Sequence, residues 1–412
     1  MALVKPDTSR LAKIRVIAVG GGGGNSIQHM IEDTQIEGVE FIAINTDAQV
    51  LLNNPSETKL QIGEKLTRGL GSGGNPDMGK QAAEESREKV KELLLDTDMV
   101  FLTAGMGGGT GTGATPIIAQ IAKEAGALTV AIVTKPFAFE GTRRMVAAEE
   151  GIEALRPNVD ALIVIPNQRL MDVIDRKTTL ADAFKVVDSV LAHGVQGISE
   201  IITTPGLINV DFADVRAIMK DAGSALLGIG TGVGDNRSQM AARAAISSPL
   251  LEVSIEGAKG ILFNIAGGQD LTMAEVDEAA RIISESADAD ANIIFGATIN
   301  ERLSDQMRIT VVATGFDEMR ARLGRMVSPP KTQTPAPQGI VSQAPQEPQV
   351  TFPGSIFRPR PVSTSPVQAV QQPQTQAQQP ASQASSNTDE DREKDEWGEK
   401  FEVPAFLRQG RN

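Results

Sequence analysis

The 412-residue chain contains no cysteine and no tyrosine, one tryptophan and two histidines. Without cysteine there are no disulfides, thiolate metal sites or cysteine nucleophiles. Two histidines nearly exclude a multi-histidine metal centre. Aromatic residues make up only 3% of the chain, too few for the stacking platforms that hold single-stranded nucleic acid. Positive charge is also short: 39 Lys and Arg stand against 52 Asp and Glu, a formal net charge of −13. That balance argues against an electrostatic grip on nucleic acid or anionic lipid, leaving only a local basic patch open. No run reaches the ~18–20 apolar residues of a membrane span. Met1–Lys13 lacks the apolar core of a secretory signal. The expectation is a soluble, cytoplasmic protein with no direct membrane insertion and no nucleic-acid partner.

Glycine is what the chain has in excess, with 40 residues against a usual share of ~7%. The glycines cluster between elements. Strand-like apolar runs at Ile14–Val19, Glu40–Ile44, Met99–Thr103, Leu128–Val133 and Ala161–Ile165 alternate with helical patterns at Asn25–Asp33, Gln81–Leu95 and Pro116–Ala125. Buried strands alternating with helices predict an α/β fold with a doubly wound parallel sheet over residues 13–180, after a flexible stretch at 1–12. Leu180–Ile202 reads as one long central helix, assigned to 181–203. It ends before the turn signal Thr204-Pro205-Gly206. Strands at Ala225–Ile229, Gly260–Ile265, Asn292–Ala297 and Ile309–Ala313, with helices at Arg237–Ile246 and Met273–Ala287, predict a second, smaller α/β domain at 204–320. Its last two strands have no helix between them, so its sheet is expected to be mixed. Pro329–Thr388 is rich in Pro, Gln, Ser, Thr and Ala. Such a segment has too few apolar groups to offset its ordering entropy and is expected to be a disordered linker. Residues 389–412 form a charged tail that closes on the apolar set Phe401, Val403, Phe406 and Leu407.

Two glycine loops carry the chemistry. Gly20-Gly21-Gly22-Gly23-Gly24-Asn25 lies between a strand and a helix, where unpaired N–H groups and the helix dipole favour an anion. The arrangement suits a dinucleotide, and Asp47 lies about where a ribose-binding acid would. The third glycine of the fingerprint is replaced by Asn25, however, and a plain surface turn is the competing reading. The second loop, Gly105-Met106-Gly107-Gly108-Gly109-Thr110-Gly111-Thr112-Gly113, also joins a strand to a helix. In a sheet of order 3-2-1-4-5-6 with Met99–Thr103 as the fourth strand, both loops open on one crevice. Two facing anion-binding loops suit a di- or triphosphate. Gly74–Lys80 begins like a phosphate-binding P-loop but has Gln81 where a Ser or Thr is needed and no strand before it. Gly69–Gly74 is read instead as a further loop lining the phosphates.

Phe184 and Asp188 are four residues apart on the long helix and share a face. A ring stacks on a base, and a carboxylate accepts from guanine N1–H and N2–H2 together, whereas adenine presents an acceptor at N1. On sequence alone such a pair is more often core plus solvent. Asn209-Val210-Asp211-Phe212-Ala213-Asp214 holds two carboxylates three apart. They either orient a water or a Mg2+ ion, or simply cap a helix at Asp211 or Asp214.

Taken together these motifs resemble the tubulin/FtsZ family, over about Lys13–Phe316 and the last few residues. The run through Gly21, Gly22, Gly23, Gly24 and Asn25 is similar to the family's first nucleotide loop. Gly107-Gly108-Gly109-Thr110-Gly111-Thr112-Gly113 is similar to its signature phosphate loop. Pro136–Gly141 through Arg144 resembles the stretch whose Glu and Arg, here Glu140 and Arg144, contact the nucleotide. Asn167, Phe184 and Asp188 fall where the family contacts ribose and base. Gly206–Asp214 resembles the loop that inserts into the next subunit, with Asn209, Asp211 and Asp214 as its catalytic residues. Val403–Arg408 resembles a peptide that binds membrane-tethering and regulatory division proteins. Ser26-Ile27-Gln28-His29 departs from the family's usual Asn/Ala-Val-Asn-Arg. The resemblance implies a GTPase that binds GTP or GDP, with Mg2+ held largely through the nucleotide. It also implies head-to-tail polymers and a cytokinetic ring at mid-cell in bacterial division. An NAD(P)-dependent oxidoreductase and a non-catalytic nucleotide-gated scaffold are the alternatives. The second glycine loop argues against the first of these, and Asp211 with Asp214 against the second.

Overall fold

The computed structural model describes residues 12–171, 177–248 and 255–316. The chain begins β1 (Ile14–Val19), α1 (Gly20–His29), β2 (Val39–Asn45), α2 (Ala48–Leu52), β3 (Thr58–Gln61) and α3 (Glu64–Thr67). It continues through α4 (Pro76–Glu85), α5 (Arg87–Leu93), β4 (Met99–Gly105), α6 (Thr110–Glu124), β5 (Leu128–Lys135) and α7 (Thr142–Leu155). Then come β6 (Ala161–Pro166), α8 (Asn167–Leu170), the long α9 (Leu180–Thr203) and α10 (Phe212–Met219). The last part holds β7 (Gly223–Val233), α11 (Arg237–Ile246), β8 (Gly260–Gly267), α12 (Met273–Glu285), β9 (Asn292–Ile299) and β10 (Gln306–Thr314).

The ten strands of the described residues form one sheet of order β3-β2-β1-β4-β5-β6-β7-β10-β8-β9. The first six are parallel, in the doubly wound order the sequence predicts. They read as continuous apolar runs because both faces are covered. Val16 and Ala18 of β1 pack into one layer with α9, while Ile17 and Val19 pack into the other with α6. β7 continues the sheet through three parallel pairs with β6, Ala161 to Ile163 opposite Gly223 to Ala225. Beyond it the sheet is mixed: β10 runs antiparallel between β7 and β8, and β8 pairs parallel with β9. Helix α9 lies across one face. It buries Ala183, Val187, Val190, Leu191, Val195, Ile198 and Ile201, the 3.6-residue stripe of an amphipathic helix. Among the described residues no helix is long and apolar enough to cross a membrane.

Several boundaries differ from the sequence reading, each for a packing reason. The first helix starts at Gly20 rather than Asn25, so the glycine run is its opening turn. A Cβ at Gly23 would collide with the Thr103 carbonyl, which sets how closely α1 lies on β4. The segment read as one helix at Gln81–Leu95 is two, α4 and α5, separated at Ser86; α4 begins at Pro76 behind an Asn75 cap. The helix expected at Pro116 begins at Thr110 and keeps Pro116 inside it. A proline at a helix start is common, but the Thr-Gly-Thr-Gly turn before it is already helical because α6 packs on α4 with no side chain at Gly113. β7 runs on past Ile229 through Gly230 and Gly232. With Gly228 these alternate on one side, where any Cβ would collide with carbonyls of α11. Helix α7 and strand β3 were not anticipated. The linker at 329–388 and the tail at 389–412 lie outside the described residues.

Arg237 fastens α11 to α12. Only 5% exposed, it donates from Nε to Glu275 at 2.6 Å, from Nη2 to Glu275 at 3.1 Å, and from Nη1 to the Asp270 carboxylate. The guanidinium beside Glu275 holds its carboxyl down at about 2. A depressed carboxylate contributes stability that is present above its unfolded pKa and lost as pH falls through the folded one. Glu275→Gln is expected to lower the urea midpoint at pH 7, and the gap from the wild type should close as the pH is taken from 4.5 towards 2. A gap that stays constant over that range would refute this account of the pair.

Candidate functional site

A cavity of about 340 Å3 opens at the carboxyl ends of β1, β4, β5 and β6, with α9 as one wall. It lies at the switch point, where β1 and β4 are neighbours and their helices leave to opposite faces. The first turns of α1 and α6 bring Gly21, Gly22 and Asn25 together with Gly108, Gly109, Thr110 and Gly111 around this space. The two glycine segments touch. A Cβ on Gly20, which has φ +74°, would lie 2.9 Å from the Gly111 nitrogen, and one on Gly22 would lie 3.2 Å from Gly105. Gly21 and Gly108 are different: a Cβ there would meet nothing within 4 Å. Neither has a positive φ, so neither packing nor backbone geometry demands glycine at these two positions. Their bare N–H edges, with two helix dipoles, favour an anion close to the backbone.

The 69–74 loop reaches the same space through Ser72, whose hydroxyl is 3.0 Å from that of Thr110, which in turn is 2.7 Å from that of Thr46. On the opposite wall Glu140 and Arg144 form an ion pair, and Glu140 also accepts from the Phe137 N–H at 2.9 Å. Asn167 heads α8 at the end of β6; its Oδ1 is buried and accepts no hydrogen bond. From α9 come Phe184 and Asp188, one turn apart. The Phe184 ring stands edge-on to Phe137, with centroids 5.4 Å apart. Asp188 accepts a 2.6 Å hydrogen bond from Ser26 of α1. Burial pushes the Asp188 carboxyl above the usual range, against the pull of Ser26 and of His29.

Twelve residues singled out in the sequence thus line one space: Gly21, Gly22, Asn25, Gly108, Gly109, Thr110, Gly111, Glu140, Arg144, Asn167, Phe184 and Asp188. Gly23 and Gly24 lie behind the wall; Gly23 faces β4, and the Gly24 carbonyl accepts from Asn54. Gly107 has φ +100° and packs against the Arg144 carbonyl, so it shapes the turn without lining the cavity. Asp47 caps α2 by accepting from Gln49 and Val50 and does not line the cavity, which leaves the dinucleotide alternative without its ribose acid. Asn209, Asp211 and Asp214 are exposed beyond the far end of α9 and do not line the cavity. Asp211 caps α10: its Oδ1 accepts from the Asp214 N–H at 2.8 Å, and Asp214 Oδ2 accepts from the Asp211 N–H at 3.4 Å. Ser26 and Thr134 also line the cavity and were not singled out as site residues. Each is a small hydroxyl residue beside a glycine loop or at a strand end, and nothing in the spacing marks it as part of a site.

Residues 13–175 match the Tubulin/FtsZ family GTPase domain, and residues 223–317 match the FtsZ family C-terminal domain. Among solved structures the chain is similar to an empty FtsZ dimer from M. jannaschii, at 46% identity over 76% of this chain and 94% of that one, with a TM-score of 0.73. A point mutant of the M. jannaschii FtsZ matches at 48% identity over 74% and 92%, with a TM-score of 0.72. CetZ1 of Haloferax volcanii, solved as a GDP-bound monomer, shares the fold at 20% identity over 73% and 93%, with a TM-score of 0.63. With both family domains in order along the chain and nearly the whole of an FtsZ relative covered, this chain belongs to the tubulin/FtsZ family of GTPases, on its FtsZ branch.

Proposed function

We propose that the chain binds GTP in the switch-point cavity and hydrolyses it to GDP and phosphate when it assembles head to tail, the site being completed by the next subunit. The observation that carries the nucleotide reading is the pairing of glycine edges open to empty space, at Gly21 and Gly108, with a buried acceptor on Asn167 that has no partner. Phosphates fit the first, and a ribose hydroxyl or base N–H fits the second. Asp188, with Phe184 beside it, supplies the carboxylate that distinguishes guanine from adenine. Mg2+ would enter with the nucleotide, held largely by its phosphates.

The carboxylates of the 209–214 loop work in trans. From Asp188 to the end of α9 at Thr203 the helix rises roughly 22 Å at 1.5 Å per residue, and the loop lies beyond that end. Asp211 and Asp214 therefore cannot reach a phosphate held in their own cavity. A head-to-tail contact brings them over the neighbour's site, and heterologous contacts of that kind build open filaments. The M. jannaschii relative solved as a dimer supports self-association. The capping box uses one oxygen of each carboxylate. The other oxygen of each is left to orient a water at the terminal phosphate of the next subunit. In the cell the filaments would form the cytokinetic ring at mid-cell in bacterial division, on the cytoplasmic side. The 401–408 segment would recruit membrane-tethering and regulatory division proteins.

Three measurements test this reading. Asp188→Asn should weaken GTP binding by on the order of 2–4 kcal/mol, the loss of two charge-assisted hydrogen bonds in a buried site. ATP binding as tight as GTP binding in the wild type would rule out the base-reading role. Asp211→Ala or Asp214→Ala should keep GTP affinity while turnover drops about 10²-fold, the scale of a lost water-orienting group. A mixture of such a mutant with one blocked for GTP by a bulky residue at Gly109 should recover turnover. No recovery despite co-sedimentation would exclude the shared site. Deleting residues 401–412 should spare both hydrolysis and sedimentation, and loss of either would refute a tail that serves partners alone.

A further inference from the structure

Ser26 is 2% exposed, sits on α1 and faces α9 across the cavity wall. Its hydroxyl oxygen has two acceptors in reach, Asp188 Oδ1 at 2.6 Å and the Gly22 carbonyl at 3.1 Å. It has a single proton to give. The shorter, charge-assisted contact takes that proton, and the Gly22 carbonyl, one helical turn back, is the fallback. Ser26 is the one hydrogen-bond donor to Asp188 among the described residues. A carboxylate turns freely about its last torsion unless something holds it. Anchoring Oδ1 fixes the plane of the group and leaves a lone pair on Oδ1 and both on Oδ2 for a ligand, which is the arrangement a pair of adjacent N–H donors requires.

We propose that Ser26 is a positioning residue for base specificity: its hydroxyl fixes the Asp188 carboxylate in the orientation that reads the two N–H donors of guanine. The inference rests on the reading of Asp188 given above. The same hydrogen bond works against the burial that pushes the Asp188 carboxyl up, so Ser26 also helps keep the group ionised and purely an acceptor. The ionisable neighbours are His29 on α1, itself paired with Asp33, and the Glu140–Arg144 pair that lines the same cavity. All of them persist when Ser26 is changed. The competing role is a plain stitch between α1 and α9, which would affect every nucleotide alike.

The full-length chain and its S26A, D188N and S26A/D188N variants are titrated with GTP, ITP and ATP from pH 5 to 8, with thermal unfolding alongside. S26A should weaken GTP about ten-fold at pH 7, the size of one charge-assisted hydrogen bond. It should weaken ITP less, because ITP lacks the exocyclic amine, and leave ATP unchanged. The acid limb of GTP binding should move to higher pH, since a donor to the ionised form is lost. In the D188N background S26A should add nothing further, because Ser26 acts through Asp188. Equal losses for all three nucleotides with a lower melting temperature would reduce Ser26 to a stitch and overturn the inference. So would unchanged GTP affinity in S26A, or additive losses in the double variant. If D188N itself leaves the GTP-to-ATP ratio intact, base reading by Asp188 fails, and this inference with it. If D188N abolishes that ratio while S26A spares it, only the role of Ser26 fails.

Discussion

Backbone-on-backbone contact between the β1–α1 turn and the β4–α6 turn is the constraint on which the site depends. Gly20 abuts Gly111 at a distance that leaves no room for a side chain, and Gly22 abuts Gly105 so closely that a side chain would force a shift. That approach is possible because β1 and β4 are adjacent parallel strands in register, with Val19 opposite Ala104. Their helices depart to opposite faces of the sheet, so the N-termini diverge just enough to leave a crevice. The sheet order thus decides where the anion site lies, and glycine decides how narrow it is. A side chain at either contact would push the two N–H surfaces apart and weaken the convergent field that two helix ends supply.

The second constraint is the length of α9. One continuous helix of 24 residues contributes Phe184 and Asp188 near its start and delivers the 209–214 loop beyond its end. Its buried stripe packs first on α1 and β5 and then on β7 to β10 of the mixed part of the sheet. The same helix therefore holds the pocket wall and fixes a minimum distance between that wall and the carboxylate loop. The proposed division of the site between subunits rests on this rigidity, because α9 is one unbroken helix.

The parallel order, five of its six strands and the long helix were legible because apolar runs and turn signals are strong, local signals; the short β3 was not. Arg237–Ile246 was readable to the residue for the same reason. Glycine-rich segments were not. In isolation a glycine run disfavours helix, so α1 was read as starting after it and α6 as starting at Pro116. In the fold, tertiary contact overrides that preference: α1 needs bare backbone to lie on β4, and α6 needs it to lie on α4. The three alternating glycines of β7 were lost for the same reason, since their role is defined by α11, which comes later in the chain. Most of the cavity lining was readable from the two glycine loops and the helical spacing of Phe184 and Asp188. Ser26 was not, because its importance comes from a partner 162 residues away in sequence.

Asp188 and the pair Asp211 and Asp214 show two ways of storing a carboxylate for use. Asp188 is buried, and burial disfavours its charged form, so it needs a donor held ready in the fold, and Ser26 is placed to be one. Asp211 and Asp214 are exposed, where water solvates them and no buried partner is needed. Their only fixed duty is the capping box of α10, which orients both side chains while spending one oxygen of each. The helix cap and the proposed catalytic role are therefore compatible. A cap fixes the direction in which the remaining oxygens point, which is what a loop needs if it is to act on a site that forms only when a second copy arrives. In the proposed reading, recognition is built into the interior of one subunit, and the groups that trigger the chemistry are kept on the surface for a second copy to cover.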